Sequence, residues 1–155
     1  MAKTNSDRIK AELLKSGQII LIIMGLAGCK SYLIPVDSFK AQFNGIDSTK
    51  MQIVNTRGPA GDIASYPANP IDYIQCIDRK NNPFQLKNSP SIEIRVTDDT
   101  KKRTVFYFDT VYLQDSTISG DRSRFFEYRK EIPIGNIRLI EVQDGHKNFK
   151  YLDKK

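Results

Sequence analysis

The chain has no tryptophan, a single histidine and only two cysteines in 155 residues. One histidine with one or two thiols falls short of the three or four strong ligands of a usual zinc site, so a metal centre of that kind is not expected. A histidine-dependent triad would have to recruit His146. That residue sits in the turn-like segment Asp144-Gly145-His146-Lys147, and no Gly-x-Ser-x-Gly elbow accompanies it. The acidic residues lack the Gly and terminal Glu of a calcium loop between Asp109 and Asp121. No glycine-rich phosphate cradle follows a strand-like run. No cofactor and no metal is expected on these grounds.

An apolar run long enough to span a bilayer is also missing. The longest, Gly17 to Gly28, contains the unbroken Ile19-Ile20-Leu21-Ile22-Ile23-Met24. As a helix its twelve residues would extend about 18 Å, against about 30 Å for a hydrocarbon core. It follows a polar, net basic stretch, Met1 to Ser16, with Lys10 and Lys15 ahead of the apolar run. This is the layout of an export signal rather than of a permanent span.

The charge balance of +6 is less suggestive than it looks. Removing residues 1–28 leaves 20 basic against 16 acidic side chains. Arg57, Arg79, Lys80, Lys101, Lys102, Arg103, Arg122 and Arg124 are scattered, with no glycine-rich RNA-binding signature among the aromatics. Nucleic acid is not an expected partner.

What is present, directly after the apolar run, is Leu26-Ala27-Gly28-Cys29. It resembles the lipobox of bacterial lipoproteins, and the match covers residues 1–29. The resemblance implies a diacylglycerol on the Cys29 thiol, cleavage by signal peptidase II between Gly28 and Cys29, and acylation of the new amino group. Two or three long acyl chains hold a protein on a membrane effectively permanently, since each buried methylene contributes about 0.8 kcal/mol. Lys30 stands where an aspartate would favour inner-membrane retention in the enterobacterial sorting pattern. No acidic surface-export run follows the cysteine. The resemblance therefore implies a cell-envelope address, in the outer membrane and facing the periplasm. With Cys29 taken by lipid, Cys76 has no partner within the chain, and its apolar run Ile71 to Ile77 predicts a buried structural thiol.

The expected organisation is a signal peptide over 1–28, a lipidated tether over 29–37 and a β-rich domain over 38–155. Apolar residues at 39% and charged residues at 27% suit one folded unit of this length. Helical periodicity is not sustained anywhere, whereas short β-branched and aromatic runs recur between turn signals. The fold class predicted is all-β: a single antiparallel meander, closed as a small barrel or sandwich, preceded by the signal helix. Ile92, Ile94 and Val96 alternate with Glu93, Arg95 and Thr97, and the turn Asp98 to Lys101 leads to a partner strand over Arg103 to Phe108. Further strands are expected at Ser38–Phe43 and Lys50–Val54 around the turn Asn44-Gly45, and at Tyr73–Asp78 and Phe84–Lys87 around Asn81-Asn82-Pro83. Others are expected at Val111–Gln114, Thr117–Ser119, Arg124–Arg129 and Leu139–Gln143, with an edge strand at Phe149–Leu152. In Arg124–Arg129, alternation places Phe126 and Tyr128 on one side and Phe125 and Glu127 on the other.

Asn55 to Pro70 carries Gly58, Pro59, Gly61, Pro67 and Pro70 and reads as the longest loop. Arg57 and Tyr66 are its candidate partner-binding side chains. Ile132-Pro133-Ile134-Gly135-Asn136-Ile137 resembles a pattern in small exported bacterial β-domains of unknown role, in which an Ile-Pro-x-x-x-Ile turn feeds a last core strand. It implies fold and assigns no site.

Most acidic residues, among them Asp98, Asp99, Asp109, Asp115 and Asp121, fall in turns, where Asp bonds local backbone. The function expected is that of a non-catalytic, lipid-anchored structural or partner-binding module, its partners being the membrane through Cys29 and an envelope protein. Two alternatives stand: a small envelope enzyme whose cleft gathers Asp109, Asp115 or His146, and a β-barrel carrier of an apolar ligand.

Overall fold

The structure, a computed structural model, describes residues 30–124 and 128–153. The expected signal helix, Gly28, Cys29 and the triplet 125–127 lie outside the described residues. The described chain is all-β, and every strand pair is antiparallel. Its strands, in order, are β1 Ser31–Leu33, β2 Gln52–Arg57, β3 Ile63–Ala68, β4 Tyr73–Ile77, β5 Pro83–Lys87, β6 Ile92–Asp98, β7 Arg103–Tyr107, β8 Tyr112–Gln114, β9 Thr117–Asp121, β10 Arg129–Pro133, β11 Ile137–Asp144 and β12 Lys150–Tyr151. One short helix, α1 Val36–Gln42, follows β1.

The strands form three sheets, ordered β5-β4-β1-β11-β6-β7, β10-β9-β8 and β12-β2-β3. The expected single meander is therefore corrected, and among the described residues no closed barrel forms. The hairpins β4–β5, β6–β7 and β8–β9 are local, but β1 pairs with β11, Ser31 facing Gln143, and β12 returns to β2. These long-range pairings break the meander because residues remote in sequence supply the missing neighbours of two short strands.

Two segments at the N-terminal side depart from expectation. Ser31–Leu33, assigned to a tether, is an inner strand of the six-stranded sheet. Ser38–Phe43, expected as a strand, lies in and just after α1, and the reason is on its surface. Phe39 and Phe43, four residues apart and both fully buried, stack at 4.4 Å between ring centroids. Pro35 precedes the first turn, which an N–H-deficient residue favours, and Asp37 pairs with Lys40 at 3.5 Å. Gly45, with φ of +76°, makes the turn that ends this segment.

The longest expected loop, Asn55–Pro70, is instead the hairpin β2–β3, in register from Gln52–Ala68 to Arg57–Ile63. Its turn is short: the Gly58 N–H donates to the Asp62 carbonyl at 2.8 Å, and Gly61 takes φ of +86°. Pro67 is tolerated because β3 is an edge strand, where a missing N–H costs no ladder bond on its open side. The strand expected over Arg124–Arg129 begins only at Arg129; Arg124 turns inward and Tyr128 is largely exposed.

The core lies between the six-stranded sheet, α1 and the β8–β9–β10 sheet. Ile92, Ile94 and Val96 of β6, Ile140 and Val142 of β11 and Phe106 of β7 share one buried cluster with Phe39, Phe43, Phe108 and Ile118. Cys76 belongs to this cluster. The Ile132–Ile137 turn behaves as expected: a 3-10 turn, Ile134–Asn136, delivers the chain into β11, the strand between β1 and β6.

Candidate functional site

The chemistry in this molecule concentrates where the three sheets meet. The 3-10 turn Phe108–Thr110 between β7 and β8 is fully buried and needs partners for its backbone. Asn69, beyond the end of β3, supplies them. Its Nδ2 donates to the carbonyls of Phe108 (2.7 Å) and Val111 (3.0 Å), and its own N–H donates to the Asp109 carbonyl (2.6 Å). Thr110 Oγ1 donates to the Tyr107 carbonyl and accepts from the Asp121 N–H, both at 2.9 Å. This clamp fixes where the Asp109 carboxylate points.

That carboxylate, with no exposed surface, accepts from three side chains: Arg124 Nη2 at 2.8 Å, the Tyr66 hydroxyl at 2.6 Å and the Tyr151 hydroxyl at 2.9 Å. Arg124, 2% exposed, also donates from Nε and Nη2 to the Pro90 carbonyl at 3.1 and 2.5 Å. Its guanidinium lies over the rings of Tyr107 (4.0 Å), Tyr66 (4.7 Å) and Phe149 (5.4 Å). Its Nη1 has no hydrogen-bond partner. Such a charge is tolerable inside a protein only when paired and bonded, and here ring faces add the attraction of their quadrupoles.

The acidities follow from this geometry. Burial opposes the Arg124 charge, but Asp109 and the surrounding hydroxyls outweigh it and hold the guanidinium protonated. Burial, then the charge of Asp109, pushes the Tyr66 and Tyr151 hydroxyls well above the usual phenol range, so both remain donors. At the margin of the cluster, Lys147 donates to the Tyr107 hydroxyl at 3.0 Å and pairs with Glu93 at 2.5 Å. The cluster thus binds β3, β7, β12 and the segment after β9 into one unit. The Asp109 carboxylate is spent on these internal donors and has no exposed surface.

Asp109, Asp115 and His146, which the enzyme alternative would gather in a cleft, do not meet. Asp115 and Ser116 both take positive φ and form the two-residue turn of the β8–β9 hairpin. Asp98 accepts from the Thr100 hydroxyl and from the N–H groups of Thr100 and Lys102, and these bonds, that of the hydroxyl first, hold its pKa below the usual carboxylate value. Asp121 pairs with Arg129 at 3.1 Å. His146 is exposed, 3.7 Å from Asp144. An open depression of about 340 Å³, lined by residues that include Lys40, Phe43, Asp115 and Ile134, reaches neither Asp109 nor His146. Among the described residues, no three His, Cys, Asp or Glu side chains gather as metal ligands.

Of the two side chains expected to meet a partner, Tyr66 is turned inward to Asp109, and Arg57 is exposed at the end of β2. Sequence reasoning missed Arg124, Tyr151 and Asn69. Their residue types carried no signal, because each gains its role from Asp109 or its turn, at least 15 residues away in sequence.

Cys76 is buried in β4, its thiol donating to the Phe84 carbonyl at 3.3 Å and pushed up to about 11 by burial. Among the described residues no helix is long and apolar enough to cross a membrane. No protein-family model, no curated protein and no solved structure matches the chain.

Proposed function

We propose that the chain is a lipid-anchored module of the bacterial cell envelope, held through acylated Cys29 and acting by binding or structural support rather than by catalysis. The observation that carries the reading is the motif Leu26-Ala27-Gly28-Cys29 at the end of an apolar run too short to span a bilayer. A β-domain whose first strand starts at Ser31 gives that anchor something to hold. Support for a non-catalytic role comes from the use of the acids: Asp109 serves three internal donors, while Asp78, Asp98 and Asp115 serve turns. An outer-membrane address facing the periplasm follows from Lys30 at the sorting position, and an envelope protein is the partner class. Arg57 remains a candidate for that contact, since its guanidinium is not engaged in the Asp109 cluster.

Fractionation tests the address. In a Gram-negative host, wild type is expected in the outer-membrane fraction and Cys29→Ala as an uncleaved precursor. Wild type recovered as a soluble protein would refute the proposal.

A further inference from the structure

The distance between the anchor and the fold is very short. Only Lys30 separates Cys29 from β1, so the Cα atoms of Cys29 and Ser31 are at most about 7 Å apart. β1 is not a loose end that swings on this link. It lies between β4 and β11, with Leu33 opposite both Ile77 and Glu141, and Tyr32 stacks on Phe84 at 4.3 Å. A lipid on Cys29 would therefore fix which end of the six-stranded sheet meets the bilayer.

Register identifies that end. β1 runs antiparallel to β4 with Leu33 opposite Ile77, so the β4–β5 turn, residues 78–82, lies beside Ser31. β11 ends there too, at Asp144, followed by His146 and Lys147. The β6–β7 turn, residues 98–102, is at the opposite end, about 20 Å away along the seven residues of β6.

The charges at the near end divide clearly. Glu93 and Lys147 pair with each other. Asp78 and Asp144 both accept from backbone N–H groups of their own turns, Asp78 from Lys80 and Asn82 and Asp144 from His146. Lys30, Arg79 and Lys80 are exposed, and the latter two are the tip of the turn.

We infer, resting on the lipid-anchor reading, that the domain stands end-on on the bilayer, with the β4–β5 turn and Lys30 against phospholipid phosphates. The occupant of this surface is an anionic phospholipid headgroup layer. The opposite end, with the β6–β7 turn, then faces away from the membrane, and a partner reaches the domain from that side or from its flanks. The attraction of each cation to an anionic surface acts here on a domain already held by its acyl chains.

The test uses the acylated full chain, purified and reconstituted in vesicles of phosphatidylethanolamine and phosphatidylglycerol. A fluorophore is placed on Lys80→Cys or on Lys102→Cys, and a quencher is carried on lipid headgroups. Acyl mass is measured on each sample. The expected result is several-fold stronger quenching at position 80 than at 102, reduced by Arg79→Glu and by high salt. Equal or reversed quenching with the acyl mass present would overturn the end-on orientation and leave the anchor intact. Quenching at 80 undiminished by Arg79→Glu would overturn the phosphate contact. A chain without acyl mass would overturn both the orientation and the reading beneath it.

Discussion

Replacing Asp109 by asparagine puts the account of the buried cluster at risk in a quantitative way. The carboxylate accepts from Arg124, Tyr66 and Tyr151 and has no exposed surface. An amide of the same shape retains one acceptor oxygen but presents an NH₂ where a second acceptor is required, and it leaves the Arg124 charge without its counter-ion. Removing one partner of a buried pair costs about 3–5 kcal/mol, and an orphaned buried hydroxyl about 1–3 kcal/mol more. Domains of this size have about 5–15 kcal/mol in all, so much of the stability should go. Urea unfolding of a chain starting at Lys30, followed by far-UV circular dichroism, should show the midpoint lowered by about 1 M or more, given slopes of about 1–3 kcal/mol per M. Arg124→Met in the same background should restore part of the loss, because the uncompensated charge is then gone. A midpoint shift within the scatter of surface substitutions, or a double variant worse than the sum of the singles, would refute the reasoning.

Two other perturbations have definite signs. A Cβ at Gly120, buried in β9, would lie 3.0 Å from both the Phe106 ring and a Val111 methyl, so Gly120→Ala should cost about 1–3 kcal/mol in a denaturant titration, and a neutral result would contradict the packing described. The Cys76 thiol, raised by burial to about 11, favours the folded state below its unfolded value, and that contribution falls away as pH rises toward 11. Thiol-reagent kinetics should therefore be slow at pH 7–8 in the folded protein and accelerate toward pH 11, whereas rapid neutral-pH labelling would contradict its burial.

How much of this was legible in the sequence depended on how local each element is. The β6–β7 hairpin could be read because Ile92, Ile94 and Val96 alternate with polar residues and Asp98 closes its turn with three bonds inside five residues. The β4–β5 hairpin is equally self-contained, its turn closed by Asp78, Asn81 and Asn82. α1 escaped because one phenylalanine inside seven helical residues and a second just past their end give less than the window over which helical periodicity emerges. β1 escaped because three residues become a strand only through β4 and β11, the latter more than a hundred positions later. β2–β3 was hidden by Pro67 and its glycines, which an edge strand and a tight turn accommodate but which in sequence resemble a loop. Arg124 could not be read as buried, since an arginine is buried only when something pairs with it, and Asp109 is brought to it by the fold.

The most direct test of the central claim is the intact mass of the protein isolated from bacterial membranes, beside Cys29→Ala. A species beginning at Cys29 and carrying diacylglyceryl and acyl mass, absent from the variant, is the predicted result. A wild-type chain that retains residues 1–28, or that begins elsewhere without added acyl mass, would contradict it.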